Sequence, residues 1–319
     1  MKPVSHSAAF IPVLLFAAFA VAPGIAALTA ENYVLSLLTR VMIFAIAAIA
    51  LDFVVGYAGL VSFGHAAFIG IGAYAVGILS KHGINDALLA LPIALAAAAL
   101  FAFITGIVSL RTKGVHFIMI TLAFGQMAFF TASSLAPYGG DDGLTIATRN
   151  TLAGLAIFKN ERAYYYFVLA SLAAVFFLVR MLIGSRFGRV LRGAKENPVR
   201  VETMGFEIYR FQLVGYVISG AIGGLAGFLL ANATEFVSPA YMSWQRSGEL
   251  LIMVILGGIG SPYGAVIGAT AFLLTEEWLS TLTEHWKVIF GPMLVLIVIL
   301  GRGGLVGLFS EISRRVRRG

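Results

Sequence analysis

The 319-residue chain contains no cysteine. A disulfide framework, thiolate zinc sites, iron–sulfur clusters and thiol nucleophiles are therefore excluded. Charge is scarce as well. Asp, Glu, Lys and Arg make up 12% of the residues, and 60% are hydrophobic. A soluble domain carries about 25% charged residues. A soluble enzyme, a disordered chain and a nucleic-acid-binding domain are excluded on that ground, despite the net charge of +7. No Gly-x-x-x-x-Gly-Lys-[Ser/Thr] phosphate loop occurs, so ATP can be hydrolysed only by another chain. No ladder of Asp, Glu and His runs through the apolar stretches, which argues against a proton-coupled carrier.

What the chain does have is long apolar runs, with a mean hydropathy of +0.94. A membrane-spanning helix needs about 20 mostly apolar residues. Ten segments qualify as transmembrane or half-membrane helices: 10–28, 33–55, 60–79, 87–110, 115–135, 163–183, 211–231, 248–260, 263–275 and 286–301. The expected fold is all-α and polytopic, a single membrane domain over residues 1–319. The N-terminus has the outline of a signal peptide, with Lys2, an apolar run and Val21-Ala22-Pro23-Gly24. We read it as a retained first span, because its removal would leave segment two without an antiparallel neighbour.

Charge sets the topology, since cytoplasmic loops carry the excess Lys and Arg. Arg180, Arg186, Arg189, Arg192, Lys195, Arg200 and Arg210 cluster in one loop region. Arg302, Arg314, Arg315, Arg317 and Arg318 mark a basic tail, 303–319. Residues 276–285 hold Glu276, Glu277 and Glu284 and no Lys or Arg beside them. With the two basic regions inside and the acidic one outside, 248–275 must cross an even number of times. It is read as two segments or a re-entrant hairpin, not one kinked helix. Both termini then fall in the cytoplasm, and 136–162 forms a periplasmic loop. Arg40 falls within a span, positioned to reach the outer surface, and Asp52 lies near an inner end.

Segment three is unusually rich in small residues: Gly56-Tyr-Ala-Gly59-Leu-Val-Ser62-Phe-Gly64-His65-Ala66, then Gly70 and Gly72. Broken backbone at membrane depth is tolerated inside protein or along a water-filled path. Close packing and path lining are both open for it. The break Gly257 to Gly268 echoes this pattern five segments later, which points to an inverted five-helix repeat. Ser62, Gly64, His65, Gly258, Gly260, Ser261 and Gly264 are the candidate path residues.

The loop 185–208 is the most informative polar piece. Ser185 is an N-cap, and Phe187, Val190, Leu191 and Ala194 form a helical apolar stripe. Asn197-Pro198 reads as a second cap followed by Pro at the first helical position. Met204-Gly205 reads as a stop. A capped short helix carrying Glu196, Glu202 and Glu207 among basic residues suits docking into a protein groove rather than onto anionic lipid.

These motifs resemble the LivM-type permeases of branched-chain amino acid ABC importers. The resemblance runs from about Ala50 to Gly304 and rests on Gly56–Tyr74, Lys113-Gly114 to Gln126, Gly139–Leu144, Ser185–Gly205 and Leu250–Gly268. It implies a permease subunit that has no ATPase site and binds no cofactor, with ATP and Mg held by a partner. The implied partners are a second, LivH-like permease, two cytoplasmic ATPase subunits, a periplasmic substrate-binding protein and the lipid of a bacterial inner membrane. It makes 185–208 the coupling loop, with Arg189, Arg192, Glu196, Asn197, Arg200 and Gly205 as the ATPase-coupling residues. Gly193, Lys195, Pro198 and His116 depart from the family pattern, and Gly193 is expected to loosen the junction between the two short helices. Permeases of the same family for urea or short amides are one alternative. A stand-alone carrier or channel is another. An intramembrane enzyme would need more than the Ser62/His65 pair, and no catalytic or metal-binding residue is assigned.

Overall fold

The computed structural model describes residues 14–24, 32–152, 154–283, 285–300 and 303–307. Its helices are α1 (Leu14–Gly24), α2 (Asn32–Asp52), α3 (His65–Lys81), α4 (Ala87–Ser109), α5 (Val115–Ser134) and α6 (Glu161–Gly184). They continue with α7 (Arg186–Glu196), α8 (Pro198–Thr203), α9 (Ile208–Thr234), α10 (Trp244–Gly257), α11 (Pro262–Leu282) and α12 (Trp286–Leu300). A π-helical turn, Phe53–Ala58, extends α2. Five helices are long and apolar enough to cross a membrane alone: Tyr33–Ala58, α4, α5, α6 and α9. The chain is a multi-pass, predominantly helical membrane protein.

Small residues place α9 at the centre. In lipid, helices associate through close packing, which small side chains permit. Ala90, Ala94, Ala98 and Ala102 recur every fourth residue of α4 and are all fully buried. They meet Gly220 and Gly224 of α9, where an added Cβ would lie 2.4 Å from the Ala102 Cβ and 2.6 Å from the Ala98 Cβ. On another face of α9, a Cβ at Gly227 would lie 2.0 Å from the Ile69 carbonyl oxygen of α3. Helix α2 packs on α9, α6, α10 and α11, and its residues from Val41 to Leu51 are buried.

One end of the bundle carries α7 and α8. The other carries an antiparallel ribbon of β1 (Leu144–Thr145) and β2 (Phe236–Val237), a departure from an all-α fold. There Arg149 pairs with Glu235 at 3.1 Å, and Asn232 Oδ1 accepts from the Asn150 amide at 2.8 Å.

Three segment boundaries differ most from the sequence-based reading. Segment three begins its helix only at His65, after an irregular stretch 59–64 in which Gly59 has φ +71°. Segment eight begins four residues earlier than expected, at Trp244, because the Ser243 side chain caps it by accepting from the Arg246 amide at 3.4 Å. Segment nine continues to Leu282, so Glu276 and Glu277 lie on a helix rather than in a loop. Helices α10 and α11 are separate and meet at 116°. The expected tail beyond residue 307, with its four arginines, lies outside the described residues, as do Lys2, Glu284 and Arg302.

Candidate functional site

The α7–α8 unit is built by its caps. The Ser185 hydroxyl accepts from the Gly188 amide at 3.4 Å, and Asn197 Oδ1 accepts from the Arg200 amide at 3.0 Å. Pro198 fills the first position of α8, where a missing N–H costs nothing. Gly205 has φ +85°, a conformation that favours glycine, and ends the unit. Val190, Leu191 and Ala194 are buried. Arg189, Arg192, Glu196, Asn197 and Arg200 are exposed. Gly193 lies inside α7, and a Cβ there would meet Val201 Cγ2 at 3.0 Å. It therefore lets α8 close against α7 instead of loosening the junction. Arg189, Gly193, Glu196, Arg200, Met204 and Phe206 line a groove of about 640 Å³.

On its inner side this unit grips the π-helical turn. Lys195 Nζ donates to the Gly56 carbonyl at 2.8 Å, and the Arg192 guanidinium lies 5.2 Å from the Tyr57 ring centroid. The same turn grips the junction of α10 and α11. The Tyr57 hydroxyl donates to the Gly260 carbonyl at 2.6 Å, and the Gly260 amide donates to Asp52 Oδ1 at 2.6 Å. Asp52 is 1% exposed. Gly56 has no room for a side chain, since a Cβ would lie 2.6 Å from the Gly260 Cα. A Cβ added at Gly304 would likewise lie 2.6 Å from the Gly258 amide nitrogen. Helix α7, the π-turn and the hairpin turn thus form three directly bonded layers.

The candidate path residues fall into two groups. Gly258, Gly260, Ser261 and Gly264 come together in the hairpin turn, where the Ser261 hydroxyl caps α11 by accepting from the Gly264 amide at 2.9 Å. Ser62, Gly64 and His65 lie elsewhere, where α3 begins between α5, α9 and α10. Ser62 and His65 are buried. His65 Nε2 is 2.7 Å from the Ser219 hydroxyl, which donates to the Ala50 carbonyl at 2.5 Å. A Cβ at Gly64 would lie 2.4 Å from the Thr121 carbonyl oxygen. These are packing contacts within one chain. An apolar cavity of about 500 Å³ instead opens between α3, α4 and α5, with Ile71, Tyr74, Phe101, Phe124, Met127 and Met242 on its walls.

Several groups were not legible as site residues. Lys195 reads in the sequence only as a departure from the pattern, and Asp52 only as a charge near a span end. Nothing local announces that each reaches a glycine far away in the chain. Arg246 reads as a loop charge, yet it sits in the first turn of α10. The Ser243 cap three residues before it is the signal that would have placed it.

The comparisons agree with this architecture. Residues 33–299 match the family described as branched-chain amino acid transport system / permease component. The chain is 28% identical over 291 residues to the high-affinity branched-chain amino acid transport system permease protein LivM of Escherichia coli K12, covering 84% of this chain and 68% of that one. It is 24% identical over 310 residues to a probable LivM of Methanocaldococcus jannaschii, covering 82% and 89%. A shorter match, 30% identical over 127 residues, links 39% of the chain to 40% of the E. coli LivH permease. No solved structure matches. With a match that spans the bundle from α2 to α12, the chain belongs to the family of branched-chain amino acid transport system permease components.

Proposed function

We propose that this chain is one permease subunit of a bacterial inner-membrane ABC importer that moves hydrophobic, branched-chain amino acids inward. A LivH-like subunit is its membrane partner, as the partial likeness of this chain to LivH suggests for two related halves. Two cytoplasmic ATPase subunits bind ATP and Mg and dock on α7–α8. A periplasmic binding protein delivers the amino acid to the ribbon end. The relatives named above are permeases for branched-chain amino acids, which does not favour the urea and amide reading.

The observation that carries the proposal is the bonded stack of α7, π-turn and hairpin turn. Its outer face is exposed and mixed in charge, which suits a protein groove. Its inner face is tied by Lys195 to the Gly56 carbonyl and by Arg192 to the Tyr57 ring. A push on α7 therefore reaches the α10–α11 turn through hydrogen bonds. A stand-alone channel or carrier has no use for such a lever.

The same reading places both termini in the cytoplasm with α7. It is supported by α1, whose Phe19 carbonyl accepts from the Tyr165 hydroxyl of α6 and whose Phe16 packs on Phe176, an antiparallel pairing. At the other terminus, Gly303 and Gly304 pack on Gly258. The inverted repeat is better drawn between α3 and α10 than between Ser62 and Ser261. Both are short, with 17 and 14 residues, and each follows irregular backbone. Their first turns meet where the Ala66 amide donates to the Ser247 hydroxyl at 3.1 Å, and they run to opposite ends of the bundle.

Replacing Glu196 and Arg200 together by Ala should abolish copurification of the ATPase and lower leucine uptake at least tenfold, while the permease still purifies as a folded membrane protein. Unchanged uptake would remove α7–α8 from the coupling role.

A further inference from the structure

A cluster of charge lies within the membrane-spanning bundle, away from the coupling stack. The Arg246 guanidinium in the first turn of α10 is 5.5 Å from the Phe44 ring centroid, and the Arg40 guanidinium of α2 is 5.9 Å from the same ring. Arg246 Nη1 pairs with Glu249 Oε2 at 2.6 Å. Phe44 is buried. Arg40 turns inward along its helix toward Phe44, against the expectation that it reaches the outer surface, and makes no ion pair among the described residues.

The depth of the cluster follows from its neighbours. Ser247 meets Ala66 at the start of α3, and α3 ends sixteen residues beyond His65, at Lys81, beside Pro137 of the ribbon end. At 1.5 Å per residue that start is about 24 Å in from the ribbon end. Arg40 is eight residues into α2, about 12 Å deep. Charge at such depth belongs in a water-filled path or against a partner, because exposure to lipid is costly. Yet this face is not closed by the chain itself. Trp244 is 50% exposed, and the Arg246 and Glu249 side chains keep 25% and 23% of their surface.

We infer that Arg40, Arg246 and Glu249 form a transient binding site for the charged end of an amino-acid zwitterion entering from the ribbon end. The inference rests on the proposed function and names where its substrate is held. Two guanidinium groups receive the α-carboxylate, which Arg does in bidentate fashion, and Glu249 receives the α-ammonium. The pre-formed Arg246–Glu249 pair is exchanged for two substrate pairs, so the zwitterion is desolvated without leaving an unpaired charge. The one net positive charge of the cluster falls to Arg40, and it suits the carboxylate. Urea or an amide, having neither charge, gains nothing here. An anionic lipid headgroup that brings no ammonium meets the Glu249 carboxylate unpaired and is repelled by it.

The test uses the whole transporter, with its partner permease, ATPases and binding protein, reconstituted in vesicles of phosphatidylcholine alone or with added phosphatidylglycerol. Arg40→Gln, Arg246→Gln and Glu249→Gln should each cut leucine uptake at least tenfold in both vesicles while the complex stays assembled. Arg40→Lys should recover most of the loss, because a cation remains. Arg180→Gln, at the α7 end, serves as control. Uptake unchanged in all three variants overturns the site. So does a defect confined to vesicles containing phosphatidylglycerol, which would assign the arginines to lipid. No leucine uptake by the unmodified transporter would overturn the substrate reading, and this site with it. Loss of assembly in the Gln variants with no rescue by Arg40→Lys would make the cluster structural and overturn the site too.

Discussion

Lys195→Met is expected to leave the ATPase docked and hydrolysing ATP while leucine uptake falls about tenfold. Lys195 makes the direct hydrogen bond from α7 to the π-turn, at the Gly56 carbonyl. A hydrogen bond from a charged donor contributes roughly 1.5–3 kcal/mol, enough to account for a tenfold change. Its loss does not touch Glu196 or Arg200 on the outer face, so docking survives. The Lys195 charge also acts on Asp52, which is buried and holds Gly260. Met at 195 removes that compensation from a buried carboxylate, which is costly. Asp52→Asn keeps an oxygen for the Gly260 amide and removes the charge. The double variant should therefore transport better than Lys195→Met alone, with a coupling energy between the sites of about 0.5–3 kcal/mol. Uptake per ATP hydrolysed, measured in vesicles for the four combinations, decides this. A Lys195→Met transporter with the original ratio would show that force enters the bundle elsewhere.

The largest loss of stability is expected from the smallest substitution in the α10–α11 hairpin. At Gly257 a single methyl group would lie 1.8 Å from the Gly264 carbonyl oxygen, and at Gly268 it would lie 1.9 Å from that of Met253. The obstructing atoms are backbone, so no rotamer change relieves them. The two helices must move apart. Overpacking that shifts backbone costs about 3 kcal/mol or more. Gly257→Ala should lower the melting temperature of the detergent-purified protein by many degrees and reduce monodisperse yield. Gly291→Ala in α12 is the control, because nothing lies within 4 Å of its added methyl, and Ala is the better helix former. Equal melting temperatures for the two variants would mean that α10 and α11 do not cross at these glycines. The same geometry limits what Gly64 can reveal. A bulky residue there collides with Thr121, so a transport defect would report damaged packing rather than a blocked path.

Much of the fold was readable because it depends on local rules. Apolar runs, Ser185, Asn197-Pro198 and Gly205 act over a few residues, and the helices and caps of 185–208 stand where those signals place them. The misplacements also have local causes. The first sustained apolar run places the start of segment eight at Gly248, yet the Ser243 cap starts the helix in polar sequence, which moves Arg246 from a loop into the first turn of α10. The acidic residues read as the end of segment nine, yet the helix runs past Glu276 and Glu277 to Leu282, and the Glu277 carboxylate accepts from the Tyr33 hydroxyl of α2.

By itself, the sequence determined that this is a cysteine-free, charge-poor chain of apolar helices, with a basic, capped loop at 185–208. Composition and periodicity suffice for that, since burial in lipid and capping are properties of single segments. Only the tertiary structure decided which glycines touch, that Lys195 and Asp52 join α7 to a turn some 65 residues further on, and that Arg40 and Arg246 share one ring. The reason is that small-residue crossings are set by backbone-to-backbone fit between distant segments. A glycine's sequence context does not say which carbonyl will come within contact of it.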